Sequence, residues 1–283
     1  MTQKGFILSD YGKTKICEMP SFNRSDMVIH GFSTRVGGVG SSPYDTLNLA
    51  FHVGDEQNAV IENRKIFCQG LGTDISRIVS ARQVHGTNIV VVKSADIGLG
   101  AFSYDTAIPD TDGIVTNEPG LLLATFYADC VPIFILDPVK RVIASVHAGW
   151  KGTAARIGEK AIKSMSINFG TEPSDCLVGI GPSIGSCCYE VDKPVLNVLR
   201  REFKWWQDVL EEDKTGKVTL NLWDTNRRIM VESGILSDNI ELARMCTCCN
   251  QQMFFSYRGS SGVTGRMGAF LMLKNGVPVK GVR

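Results

Sequence analysis

His85, Cys130 and His147 are the residues of this 283-residue chain whose types suit one shared chemistry. Histidine is scarce: His30, His52, His85 and His147 are all there are. His85 closes the run "RIVSARQVHG", His147 closes "RVIASVHAGW", and Cys130 stands in "YADCVPIF" between two apolar stretches. No local spacing of the C-x-x-C kind joins them. Ends of strands in one sheet are nevertheless where residues distant in sequence converge. One thiolate and two neutral imidazoles make a sensible zinc set. Three protein ligands leave the fourth tetrahedral position to water or substrate, which separates a catalytic ion from a closed structural one. Copper would bind the same donors. Two other readings fit these residues. A histidine at a strand end is often a hydrogen-bonded core residue. Cys130 as nucleophile with His147 as base would be a metal-free hydrolase or deamidase dyad, with His85 idle.

Periodic and apolar runs predict the elements that must position these side chains. Val60, Ile61, Arg64, Phe67, Cys68 and Leu71 recur at helical spacing over 55–71, and Gly72 stops the run. Residues 77–84 and 88–93 read as strands joined through His85-Gly86-Thr87. A dense series follows at 113–116, 121–127, 131–136 and 141–146, and its near-continuous apolar character predicts burial on both faces. A helix is predicted over 153–169, ended by Gly170, with Thr153 as its cap. A strand at 176–180, helices at 193–203 and 221–233, and a last strand at 267–273 complete the reading. Hairpin-length gaps in the middle predict mixed or antiparallel pairing. The fold class is α+β: mixed sheets packed together with helices on the outside. In the turn after His147, Ala148 and Gly149 are small enough to leave room beside an ion. Trp150 is expected beneath that turn as a brace, with stacking on a ligand as its other role.

Composition bounds the rest. Hydrophobic residues make up 43% and charged residues 21%, enough for a sizeable core. The net charge of +1 gives no reason to expect nucleic acid or an anionic membrane as partner. The longest apolar region, 121–136, is broken by Asp129 and Pro132 and is shorter than the roughly 20 residues of a spanning helix. Residues 1–12 lack the apolar stretch of a secretory signal, so the cytoplasm is the expected compartment. No linker or repeat divides residues 1–283, which predicts one domain. Nine cysteines in such a compartment are expected as reduced thiols. Cys246, Cys248 and Cys249, with Cys187-Cys188, fit no standard zinc module and are read as buried or incidental thiols.

Six motifs in order, "RQVHG", "DTDGIVT", "ADCVPIFILD", "VHAGWKGT", "GIGPSIGSCCYEV" and "FFSYRGSSGVTGRMG", resemble those of the laccase-domain purine nucleoside phosphorylase family, also called YfiH-like or polyphenol oxidase proteins. The resemblance covers nearly the whole chain from about His30. It implies metal ligation by His85, Cys130 and His147, phosphorolysis of adenosine and inosine, related action on methylthioadenosine, and adenosine deamination. It also implies purine nucleosides and phosphate as ligands; oligomeric state stays open. Copper-dependent phenol oxidation is attributed to some members, but four histidines are too few for a multi-copper cluster. A structural zinc in a non-enzymatic protein would need a fourth ligand that the motifs do not offer. Two positions depart from the family pattern: Lys151 and Gly259 stand where it often has arginine.

Phosphorolysis needs an anion site. Arg35 in "STRVGG", Arg258 in "SYRG" and Arg266 in "TGRMG" lie beside glycines, where backbone N–H groups can approach an oxyanion. Arg266 is preferred because it leads into an apolar strand. Asp112 and Asp129 are acid/base candidates. Asp112 also suits an Asx-turn, and Asp129 faces away from Cys130 if 127–130 continue a strand.

Overall fold

The computed structural model describes residues 5–276. In chain order the strands are β1 (Ile7–Tyr11), β2 (Thr14–Glu18), β3 (Val28–Ser33), β4 (Ile78–Ser80), β5 (Ile89–Val91), β6 (Gly113–Thr116) and β7 (Leu122–Tyr127). They continue with β8 (Val131–Asp137), β9 (Val142–Ala148), β10 (Leu177–Ile180), β11 (Leu210–Glu212), β12 (Val218–Leu220), β13 (Ile240–Leu242) and β14 (Met267–Leu273). The helices are α1 (Pro20–Ser25), α2 (Gln57–Gly70), α3 (Trp150–Ala154), α4 (Ile157–Phe169), α5 (Lys193–Glu202) and α6 (Leu222–Glu232). One six-stranded sheet runs β1-β2-β3-β14-β7-β4 and the other β13-β10-β8-β9-β6-β5; β11 and β12 form a separate hairpin. Both sheets are antiparallel inside. Parallel pairs stand at the β4 edge of the first and at both edges of the second.

Alternation along the strands produces the layers. In β8, Val131, Ile133 and Ile135 face α4 and α6, where they meet Ile157, Ala161, Met165 and Ile229. Phe134 and Leu136 point the other way, onto Phe32, Leu123 and Met267 of the first sheet. The first sheet's outer face, Leu122, Ala124 and Phe270, is covered by Phe67 and Cys68 of α2. Helices therefore flank two face-packed sheets, and both faces of the central strands are buried, as their apolar runs predict.

Three expectations change. Strands 113–116, 121–127 and 131–136 are not successive hairpins. The chain alternates between sheets from β6 through β7 to β8, and within the series β6 to β9 only β8 and β9 pair as direct neighbours in sequence. The strand expected over 77–84 stops at Ser80, after which Ala81 makes a single bridge to Ile108, so His85 lies in a loop. The helix expected over 153–169 begins earlier and breaks: α3 starts at Trp150, and Arg156 with φ +60° separates it from α4. Thr153 is inside α3, not at a cap; Gly149 holds the N-cap position.

Candidate metal centre

The corner between the sheets makes the site. β7 belongs to the first sheet and β8 to the second, so the chain must cross between them at Ala128-Asp129-Cys130. Asp129 turns it with φ +80°, a conformation uncommon for a side-chain-bearing residue. Its carboxylate holds the corner, accepting from the Thr247 hydroxyl at 2.6 Å and the Arg258 N–H at 2.7 Å. With both oxygens engaged, Asp129 acts as a strut. Cys130 is left at the lip of the corner.

His147 comes from β9, beside β8, with its register partner Pro132 next to the corner. Its inward neighbour Ser145 bonds the Thr125 hydroxyl of the opposing sheet at 2.7 Å, and Tyr127 donates to the Val146 carbonyl at 3.0 Å. This polar bridge locks the two sheets behind the histidine. Asp112, just before β6, is fully buried. Its Oδ1 lies 2.8 Å from His147 Nδ1. The same carboxylate accepts the N–H groups of Val84 (3.2 Å), His85 (3.0 Å) and Gly86 (2.8 Å). These bonds replace the missing ladder and support the left-handed turn at His85, where φ is +60°. One carboxylate thus orients both imidazoles, one through its ring and the other through its backbone.

The side-chain atoms of His85, Cys130 and His147 that could ligate a metal ion all lie within 4.8 Å of one another. The His85 and His147 rings meet edge-on, with centroids 4.8 Å apart. A Cβ at Gly149 would lie 2.9 Å from His85 Cδ2 and 3.1 Å from Cys130 Sγ, so glycine there leaves the donors free to converge. Burial opposes charge on all three groups of the Cys130–His147–Asp112 row. Mutual attraction outweighs it, drawing Cys130 down to about 6 and raising His147 to about 9 in the metal-free chain. Asp112 is likewise held below the usual carboxylate range by His147 and by its N–H donors, against the effect of burial. The donor set fits a borderline-soft ion: one easily deprotonated thiol, two imidazoles and a carboxylate behind one imidazole.

The trio stands in a cavity of about 560 Å³, which adjoins a second lobe of about 320 Å³. Arg266 and Arg258 line the main cavity, and Arg35 does not. Arg35 is instead tied to Asp45 and to the Gln251 carbonyl, with Phe255 beneath its guanidinium. Arg266 bonds only the Thr264 and Gly265 carbonyls through its guanidinium, and no carboxylate among the described residues pairs with it. Arg258 is fixed by the carbonyls of Cys188 and Glu190 and lies over Tyr189. Trp150 is not hidden beneath the turn. It is half-buried, lining both lobes and packing against the core between the second sheet and its helices. Lys151 lines the outer lobe, and Gly259 lies against Gln251.

Sequence reasoning missed His52, Gln83, Tyr189 and Tyr257, which complete the wall. His52 had a readable signal as the one further histidine outside the core. Burial and the nearby Arg266 lower its pKa to about 4, so it is neutral near pH 7. His30, by contrast, is a core residue whose Nε2 accepts the Met19 N–H at 2.8 Å.

Comparison with known proteins agrees with this architecture. Residues 29–274 match the family model described as multi-copper polyphenol oxidoreductase laccase. Purine nucleoside phosphorylase YlmD of Bacillus subtilis is 39% identical over 247 residues, spanning 87% of this chain and 89% of that protein. Adenosine deaminase RL5, from an unknown prokaryotic organism, is 31% identical, spanning 88% of this chain and 95% of its own. The crystal structure of YlmD from Geobacillus stearothermophilus superposes with a TM-score of 0.89 at 35% identity, covering 95% of this chain and all (100%) of that one.

Proposed function

This chain belongs to the multi-copper polyphenol oxidoreductase laccase family, and we propose that it is a zinc-dependent purine nucleoside phosphorylase acting on adenosine and inosine. Methylthioadenosine phosphorolysis and adenosine deamination are related activities of the same site. The observation that carries this reading is the convergence of His85, Cys130 and His147 on one point of a cavity whose wall also presents the carboxylate-free Arg266. The names of the relatives, phosphorylase and deaminase, support it.

His85, Cys130 and His147 would hold the ion. Zinc bound there supplies a Lewis-acid charge that polarises an electron-rich atom of the substrate. Asp112 keeps the His147 proton on Nδ1, which leaves the Nε2 lone pair for ligation. Arg266, with Arg258 beside it, offers positive charge to phosphate, whose oxygen attacks C1′ of the ribose as the bond to the base breaks. Trp150, Tyr189 and Tyr257 present flat apolar faces to a purine. The Cys130 corner and β9 are anchored in both sheets, so the donors are held rigidly. Both sheets contribute to the one site, which supports reading the chain as a single catalytic domain.

A second reading has a specific observation in its favour. Asp112, His147 and Cys130 form a row like that of a thiol hydrolase, with the thiol depressed and the imidazole raised. His85 has no part in that chemistry. Multi-copper oxidation is disfavoured by ligand supply: with His30 in the core, three histidines remain for a cluster. Among the described residues no helix is long and apolar enough to cross a membrane, and we place the chain in the cytoplasm. Metal analysis decides between the two leading readings. Chelation that abolishes adenosine phosphorolysis, with recovery on added zinc, supports the first; full activity in metal-free protein supports the thiol hydrolase.

A further inference from the structure

A second group of donors lies outside the cavity, and its sequence spacing conceals it. β10 and β13 are parallel neighbours, so the loops that follow them leave the sheet side by side. The pairing continues past the strands, through the Ser183–Cys246 bridge and the Thr247 N–H to the Ser183 carbonyl at 3.1 Å. This alignment brings Cys187 and Cys188 from one loop against Cys246 and Cys249 from the other. The Cys249 sulfur lies 3.4 Å from those of both Cys187 and Cys188. All four sulfurs lie within 4.8 Å of one another. The Gly185 N–H donates to Cys246 Sγ at 3.2 Å, a contact that suits a thiolate ligand. Gly185 itself is packed in: a Cβ there would lie 2.8 Å from the Trp223 ring and 3.2 Å from Cys187 Sγ.

The spacing selects among the chemistries open to four thiols. Four sulfurs at about 2.3 Å from one zinc in a tetrahedron stand about 3.8 Å apart, close to the two 3.4 Å separations and inside the 4.8 Å within which all four sulfurs lie. A disulfide needs two sulfurs at about 2.05 Å and leaves the other two unused. In a multi-iron cluster the four thiolates are shared between two or four irons, so thiolates on different irons stand further apart than the 4.8 Å within which all four sulfurs lie here. We propose that Cys187, Cys188, Cys246 and Cys249 form a second, closed site for a single zinc ion. Four thiolates leave no open position, so the ion is structural. It ties the loop after β10 to the loop after β13. That first loop carries Ile184 and Tyr189 into the cavity wall, and its Cys188 and Glu190 carbonyls hold the Arg258 guanidinium. The second site therefore steadies part of the wall of the cavity that holds His85, Cys130 and His147.

Zinc K-edge absorption together with the zinc-to-protein ratio of the purified chain tests this. With both sites filled, the wild type carries two zinc ions and averages about 2.5 sulfur neighbours per zinc, from four plus one over two ions. The Cys187→Ser/Cys249→Ser variant loses one ion, and its spectrum falls to about one sulfur per zinc. The His85→Ala/His147→Ala variant retains an ion with four sulfurs at about 2.3 Å. One ion per wild-type chain with about one sulfur neighbour overturns the proposal, whether or not the cysteine variant folds. So does a disulfide within the four, detected by mass. One ion with four sulfurs supports this site and instead contradicts zinc in the cavity.

Discussion

His147 Nδ1 lies 2.8 Å from Asp112 Oδ1, while the same carboxylate gathers the N–H groups of the loop that carries His85. A single buried side chain thus fixes two of the three donors. Asp112→Asn keeps the shape but can neither hold the charge nor accept through both atoms. The zinc affinity of the cavity site is expected to fall roughly 10- to 100-fold, the usual cost of losing such an outer partner. Competition titration against a chromophoric chelator measures it. An unchanged affinity would show that the carboxylate supports the loop alone.

Gly149 has no space for a side chain. A Cβ would lie 2.9 Å from His85 and 3.1 Å from Cys130 Sγ, and neither neighbour is the free end of a flexible chain. Gly149→Val is expected to abolish zinc binding and turnover together while the melting temperature moves little, since both sheet cores stay intact. Metal content and thermal unfolding of the variant are the checks. Retention of full zinc and full turnover would contradict the close-packed turn.

Arg266 lines the cavity with no carboxylate among the described residues paired to its guanidinium, and the first residue of β14 follows it directly. Arg266→Ala removes a charge-assisted hydrogen bond worth about 1.5–3 kcal/mol. The apparent affinity for phosphate is expected to drop roughly 10- to 100-fold, with a smaller effect on deamination, which uses no phosphate. Steady-state kinetics with phosphate varied separates the two. Equal losses in both reactions would place Arg266 on the nucleoside or in the scaffold.

Acid stability is expected to depend on His30. Burial, with the Lys274 charge, lowers its pKa from 6.5 to about 3, and the Met19 N–H needs an unprotonated Nε2. Between those two values the unfolded chain binds more protons than the folded one. His30 therefore contributes stability fully above pH 6.5, and that stability is lost as pH falls towards 3. His30→Gln retains an acceptor without a titrating ring. Its unfolding free energy from urea titration should fall less steeply between pH 6.5 and 4 than that of the wild type, by up to about 1.4 kcal/mol per pH unit. Parallel slopes would contradict the buried neutral imidazole.

What was legible in the sequence followed periodicity. α2, α6 and β14 stand close to where their apolar spacing put them, and β14 at its predicted limits. The apolar runs of β7 to β9 announced burial on both faces, but not that β7 and β8 lie in different sheets. That crossing depends on one left-handed residue, Asp129, for which the sequence carries no glycine signal. The trio was readable because it used half of the chain's four histidines. Arg35 was misplaced because proximity to glycine says nothing about which carboxylate claims the guanidinium, and Asp45 does. The thiol cluster was hidden because its two halves are brought together by the parallel pairing of β10 and β13, a contact with no local pattern.

The most direct measurement is product analysis of adenosine incubated with the zinc-loaded protein, with and without phosphate. Adenine and ribose-1-phosphate are expected in amounts that require phosphate, with loss of both products in Cys130→Ala. Inosine and ammonia as the main products, formed at the same rate whether or not phosphate is present, would contradict it.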